Sequence, residues 1–138
     1  MHLVVDTNIV LDMLVFEEEA CAPLRNALMG GTVRLFATPA MRAELVRVLD
    51  YPVIAKRRTQ RALSVDAVAA QYDRWVDGCE VAPKAPYTCK DPDDQGFIDL
   101  ACTHKVDLIS KDAAVLVMHK RLLNLGVRVG KSWQPAAV

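Results

Sequence analysis

Leu3-Val4-Val5, followed at once by Asp6, constrains the fold of this chain more than any other stretch. Neighbouring side chains of a strand point to opposite sides, so three consecutive aliphatic residues describe a strand buried on both faces. A carboxylate where such a strand stops is badly placed for stability, because an unpaired charge is costly to bury. It is well placed for chemistry, because open α/β sheets bind ligands beyond the carboxyl ends of their strands. The question for the other residues is whether further acids arrive at the same edge.

The chain supplies the elements such a sheet needs. Ile9 to Phe16, apolar apart from Asp12, predicts a short helix capped by Thr7 or Asn8. Glu17-Glu18-Glu19 reads as the solvated first turn of a second helix reaching about Met29, stopped by Gly30-Gly31. Val33 to Ala37 is a second strand. Thr38-Pro39 opens a helix in which Met41, Leu45, Val48 and Leu49 recur at helical spacing, and Tyr51-Pro52 ends it. Ser64 opens another, with an apolar stripe from Val65 to Val76 that runs up to Gly78. Cys79 to Ala82 predicts a short strand and Pro83 to Cys89 a loop. Asp91-Pro92-Asp93-Asp94 begins a helix with Phe97, Ile98 and Ala101 inward. Val106 to Ser110 is a strand, about Ala113 to Leu123 a helix ended by Gly126, and Val127 to Val129 a last edge strand. Strands separated by helices imply parallel pairing and a three-layer α/β/α sandwich around a short, mainly parallel central sheet. One domain over residues 1–138 is expected, with a loose tail from about residue 131.

Charge and cysteine content narrow the function. Lys plus Arg and Asp plus Glu both total 17, a formal net charge of zero, which argues against a protein that coats nucleic acid through bulk charge. A local patch remains, since Lys56-Arg57-Arg58-Thr59-Gln60-Arg61 is the one dense basic run. Cys21, Cys79, Cys89 and Cys102 are scattered, with no C-x-x-C pair, so free thiols in a reducing compartment are the simplest reading. No basic n-region precedes the first apolar run, and Asp6 and Asp12 interrupt it. Neither a signal peptide nor a membrane span fits, and a cytoplasmic protein is expected.

Four acids occupy positions that a purely structural reading does not require. Asp6 ends the first strand; a helix cap is its alternative, though Thr7 and Asn8 could cap equally well. At ~100° per residue Glu44 sits about 60° from Met41, at the border of the apolar stripe, where an ion pair with Arg42 or Arg47 would also explain it. Asp94 precedes Phe97, Ile98 and Ala101 by three, four and seven residues and so shares the buried face of its helix. Asp99 points away and reads as a solvated surface acid. Asp91, in Asp-Pro, has good capping chemistry. Asp112 follows a strand and precedes a helix, where capping accounts for it as well as function does. Carboxylates gathered at one edge raise each other's pKa unless a cation sits among them. All-oxygen ligands suit Mg²⁺ or Mn²⁺, which can activate a water and neutralise charge on a phosphodiester. No Gly-rich phosphate loop, H-E-x-x-H or G-x-S-x-G is present.

These blocks together resemble a PIN domain, the nuclease fold of VapC-type toxins in toxin–antitoxin pairs. The matching residues are Val4-Val5-Asp6-Thr7-Asn8, Ala43-Glu44-Leu45, Asp91-Pro92-Asp93-Asp94 with Phe97-Ile98 and Leu100-Ala101, and Asp107-Leu108-Ile109-Ser110-Lys111-Asp112. The chain is most similar to the branch of toxin components with an Asp-Pro-x-Asp block. The resemblance implies Mg²⁺ or Mn²⁺ at the acidic edge and single-stranded RNA as substrate. Asp6, Glu44, Asp94 and Asp112 would be metal ligands or water-orienting acids, supported through hydrogen bonds by Asn8 and Ser110. It also implies an antitoxin inserting a basic side chain at the acids, and a homodimer. Many members of the branch carry a second acid directly after the position of Asp94; here that residue is Gln95, which leaves Asp91 to assist Asp94.

Three functions compete. In an endoribonuclease, Lys56, Arg57, Arg58 and Arg61, with Lys111, would guide the RNA backbone; a solvated helix end is the alternative for that run. A haloacid-dehalogenase-like phosphatase would use Asp6 as nucleophile but needs an acid two residues on, where this chain has Asn8. A non-catalytic module could use the same edge to bind RNA or protein, although an acidic set with no use for metal would be needlessly unstable.

Overall fold

The computed structural model describes residues 1–135. Leu3, Val4 and Val5 are all buried, so β1 (His2–Val5) is covered on both faces, as its uninterrupted aliphatic run requires. It lies in the middle of a five-stranded sheet of order β3-β2-β1-β4-β5, with β2 at Arg34–Ala37, β3 at Val76–Gly78, β4 at Asp107–Ile109 and β5 at Val129–Gly130. Every pairing is parallel. Helices flank the sheet to give the α/β/α sandwich.

The strand order sets where a ligand can sit. The chain builds β1, β2 and β3 outward in one direction, then crosses back to lay β4 and β5 on the other side of β1. The reversal falls between β1 and β4, and the crevice beyond the carboxyl ends of two strands at such a switch point is the usual ligand site of an open α/β sheet. Val5 pairs with Ile109, so Asp6 and Ser110 are the first residues past the sheet on either side of that crevice.

Local chemistry explains most boundaries. Helix α1 (Thr7–Leu14) is capped by Asp6, whose carboxylate accepts from the Ile9 N–H, rather than by Thr7 or Asn8; Thr7 is already inside the helix. The three glutamates do not open a helix directly. Glu17 has φ 48°, a short 3₁₀ turn covers Glu19–Cys21, and α2 begins at Ala22 with Pro23 in its first turn and runs to Met29. Thr38 caps α3 (Pro39–Val48) and Ser64 caps α5 (Val65–Trp75), as expected. Between them Pro52–Gln60 forms α4, which carries the basic run as a helix in its own right.

Two further boundaries differ from expectation. Val76 continues the stripe of α5 one turn beyond Tyr72, yet the chain turns extended there, and β3 is Val76–Gly78 rather than Cys79–Ala82. The expected helix from Ala113 to Leu123 is two pieces, α7 (Ala113–Leu116) and α8 (His119–Leu123). Helix α6 (Gln95–His104) packs on β1 and β4, with Ile98, Leu100 and Ala101 fully buried. Residues 131–135 are irregular and Trp133 packs against the core; the rest of the expected loose tail, residues 136–138, lies outside the described residues.

At the amino ends of the strands one acid ties three of them together. The Asp77 carboxylate accepts from Arg34 Nε at 2.9 Å and lies 2.7 Å from His2 Nε2, while Arg34 also donates to the carbonyls of Arg74 and Val76. These bonds hold the Asp77 carboxyl down at about 2. A carboxyl depressed by folding stabilises the fold above its ordinary value near 4 and loses that contribution as pH falls through about 2. Asp77→Asn is therefore expected to lower Tm at pH 6, with the gap to the parent closing between pH 4 and pH 2 in thermal melts; a gap independent of pH would refute it.

Candidate active site

Asp6 stands at the crevice with only 3 % of its surface exposed. One carboxylate oxygen accepts from the Ile9 N–H at 3.1 Å and the other from the Ser110 hydroxyl. Ser110 Oγ in turn accepts from the Asp112 N–H at 3.1 Å, so the ends of β1 and β4 are tied through one serine. Burial pushes the Asp6 pKa up; the Ser110 hydroxyl and the N–H groups of Ile9 and Asn8 oppose that, and the charge of Asp112 adds to it.

Three more acids gather beside it. Asp91, Asp94 and Asp112 each present a carboxylate oxygen within 4.8 Å of the others. Two of them also cap: Asp91 accepts from the Asp93 N–H at 3.0 Å and Asp112 from the Ala114 N–H at 2.9 Å, and each engages only one oxygen in doing so. Asp94 is different. It stands where a cap would stand before α6 but makes no capping bond, is 9 % exposed, and buries Oδ2 with no hydrogen-bond partner among the described residues. Its pKa is pushed up to about 8, first by burial, then by the close carboxyl of Asp112, then by the charges of Asp91 and Asp6.

Glu44 reaches the same cavity from α3, half-buried, its pKa raised by burial and by the charges of Asp93 and Asp6 against the pull of the Thr7 hydroxyl and Arg47. Of the supports expected from the sequence, Ser110 bonds Asp6 directly. Asn8 approaches Asp6 with its backbone N–H; the residue is exposed and lines the cavity, and its side-chain amide bonds to no acid. The basic candidates divide. Arg58 donates to the carbonyls of Leu49 and Leu63 and to Asp50, Arg61 to those of Leu14 and Val15 and to Glu17, and Lys111 to Asp12 at 2.6 Å. Lys56 and Arg57 are exposed.

Two residues are used otherwise than the sequence suggested. Asp99 is not a solvated acid: one oxygen accepts from the Ala85 N–H and from Gln95 Nε2, both at 2.8 Å. Gln95 accepts from the Cys89 N–H at 2.6 Å and donates to the Tyr87 carbonyl at 3.1 Å. Gln95 thus faces the loop before Asp91 and not the acids. Only an amide, with a donor and an acceptor, can make all three bonds. The buried Asp12, paired with Lys111, was also passed over; a lone acid inside an apolar helix was the available signal.

The donor set fits a divalent cation. Hard oxygen ligands from Asp91, Asp94 and Asp112, with Asp6 adjacent, match what Mg²⁺ and Mn²⁺ take, and the orphaned Asp94 oxygen lacks the partner that buried polar atoms ordinarily have.

Two measurements follow from this geometry. A carboxyl whose pKa is raised by folding leaves stability intact below its ordinary value near 4 and erodes it as pH rises towards about 8. Asp94→Asn, melted in chelator, is expected to lose less Tm between pH 5 and pH 8.5 than the parent; an equal slope would count against the crowding described here. Gln95→Glu removes a donor and sets a second carboxylate against Asp99. A cost of about 1–3 kcal/mol is expected, read as a lower Tm and faster protease nicking within residues 79–90.

Residues 2–114 match the family model for the PIN domain. No curated protein shows significant similarity to the chain. Among the described residues no helix is long and apolar enough to cross a membrane. PIN domains are typically nucleases and usually bind a divalent metal, in keeping with the acidic cluster where β1, β4 and α6 meet. With more than half its length matched by that model and its acids meeting at the switch point, the chain belongs to the PIN-domain family.

Proposed function

We propose that this protein is a Mg²⁺- or Mn²⁺-dependent endoribonuclease that cuts single-stranded RNA, and that it is the toxin of a toxin–antitoxin pair. The observation that carries the nuclease reading is the meeting of Asp6, Asp91, Asp94 and Asp112 around a buried carboxylate oxygen with no partner. RNA as substrate, a homodimer and an antitoxin offering a basic side chain to the acids come from the resemblance of the sequence blocks to VapC-type toxins, and the cytoplasm as location from the scattered free cysteines.

Asp91, Asp94 and Asp112, with Asp6, would hold the cation. A bound divalent ion supplies an acidified water and offsets the charge that builds on a phosphodiester under attack. The protein's own groups divide the remaining work. Ser110 and the Ile9 N–H fix both Asp6 oxygens, so that carboxylate keeps one orientation. Glu44, which lines the same cavity outside the close trio, would accept a proton from the attacking water, its raised pKa bringing it nearer to neutrality. Asn8, two residues after Asp6, offers no acid for a leaving group, which sets the phosphatase alternative behind.

The test is cleavage of a labelled single-stranded RNA with Mg²⁺ or Mn²⁺ against chelator. Asp6→Asn is expected to abolish cleavage and Ser110→Ala to cost roughly 10–100-fold, while Mn²⁺ raises the parent's Tm and fails to raise that of Asp6→Asn. Cleavage that survives chelation or Asp6→Asn would end this reading. Turnover of small phosphomonoesters with a trapped aspartyl-phosphate would favour the phosphatase instead.

A further inference from the structure

We propose that the apolar half of the acid-lined cavity seats an unpaired nucleobase of the substrate strand, with Tyr51 as its stacking platform; this rests on the nuclease reading above. The cavity, about 130 Å³, has a mixed lining. Asp6, Glu44 and Asp94 bring carboxylates to it, and Leu11, Val48, Tyr51, Ile54 and Phe97 bring apolar and aromatic side chains. A phosphodiester and its counter-cation have no use for an apolar wall. A nucleotide does, because its base is a flat apolar face one sugar away from the phosphate.

Tyr51 is the part of this wall that the fold does not explain. It is 48 % exposed, stacks on no other ring, and its hydroxyl bonds to nothing among the described residues. Its backbone, by contrast, is fixed. It occupies the extended position before Pro52 that joins α3 to α4, and α4 is fastened to the ends of α3 and α1 through Arg58 and Arg61. An aromatic residue on a fixed backbone, left half bare beside the acid-lined cavity, offers a platform for a planar ligand. Asn8 lines the same cavity, is exposed, and carries in its side-chain amide the donor–acceptor pair that a base edge can meet. Base–aromatic stacking tolerates every base and needs the base free of a duplex. The seat therefore gives a preference for unpaired nucleotides without demanding a particular sequence.

The experiment measures binding and cleavage separately. Single-stranded RNAs carry either a normal nucleotide, an abasic one or 2-aminopurine at the positions flanking the cut. For the normal strand, Tyr51→Ala is expected to raise KM roughly 10–100-fold with kcat within a few-fold, and Tyr51→Phe and Tyr51→Trp to restore it. An abasic nucleotide at the seated position should weaken the parent by a similar factor and Tyr51→Ala by no more. The parent should quench 2-aminopurine on binding with Mg²⁺, in the cleavage-silent Asp6→Asn background as well, and Tyr51→Ala should not. Tyr51→Ala losing equally on normal and abasic strands, or quenching undiminished, overturns the base seat. So does a Tyr51→Ala protein with unchanged RNA kinetics that has lost a protein partner. Quenching without any cleavage would instead sink the nuclease reading and keep the seat.

Discussion

Everything in the site depends on where β1 stops. Because the strand is covered on both faces, the sheet cannot slide along it, and its last hydrogen bond, from the Asp6 N–H to the Ile109 carbonyl, brings the chain out beside the end of β4. The Asp6 carboxylate then does two structural jobs at once, starting α1 and holding Ser110. Capping and function were set against each other in reading this residue, yet the structure shows a cap whose second oxygen reaches the crevice. One carboxylate has enough lone pairs for both.

Asp6 and Asp94 share a crevice and differ in what surrounds them. Asp6 receives an N–H and a hydroxyl, which favour its charged form and offset part of its burial. Asp94 receives neither and feels three other carboxyls, those of Asp112, Asp91 and Asp6, so its charged form is disfavoured. A chain selected only for stability would replace such a residue by an amide or an apolar group. On the proposed reading a buried acid without a partner is the cost the fold carries for a cation, and the loop clamp of Gln95 and Asp99 adds rigidity just before Asp91, one of the residues proposed to hold it.

What the sequence made legible was whatever local periodicity records. Asp94 could be read as inward because Phe97, Ile98 and Ala101 define a face, and Thr38 and Ser64 could be read as caps because a cap acts over three residues. Contacts between distant segments left no such trace. Asp99 lies opposite the buried face of α6 and so looked solvated, but the loop of residues 79–90 covers that side. Gln95 looked like a missing acid for the same reason. Strand β3 was misplaced because three residues are too few for an alternation to show, and Val76 also fits the helical stripe before it. The basic run was legible as charge but not as architecture, since the carbonyls that Arg58 and Arg61 bind belong to other elements.

That last difference bears on how a polyanion is held. Of the five basic candidates, Arg58, Arg61 and Lys111 are tied to protein acceptors, the chain has no net charge, and the crevice itself is negative. Affinity for nucleic acid built on lysine and arginine contacts to phosphate scales with the number of phosphates neutralised and falls steeply with salt. Lys111 is exposed but paired with Asp12, which leaves Lys56 and Arg57 as the exposed candidates without such a partner among the described residues, on the helix that also supplies Ile54 to the cavity lining, and two contacts give a shallow dependence. On the proposed reading the strand is instead held at one nucleotide, by a cation at its phosphate and an aromatic wall at its base. In that arrangement the arginines act one step back, by fixing α4 and with it the backbone of Tyr51, so the basic run serves recognition through geometry rather than through charge.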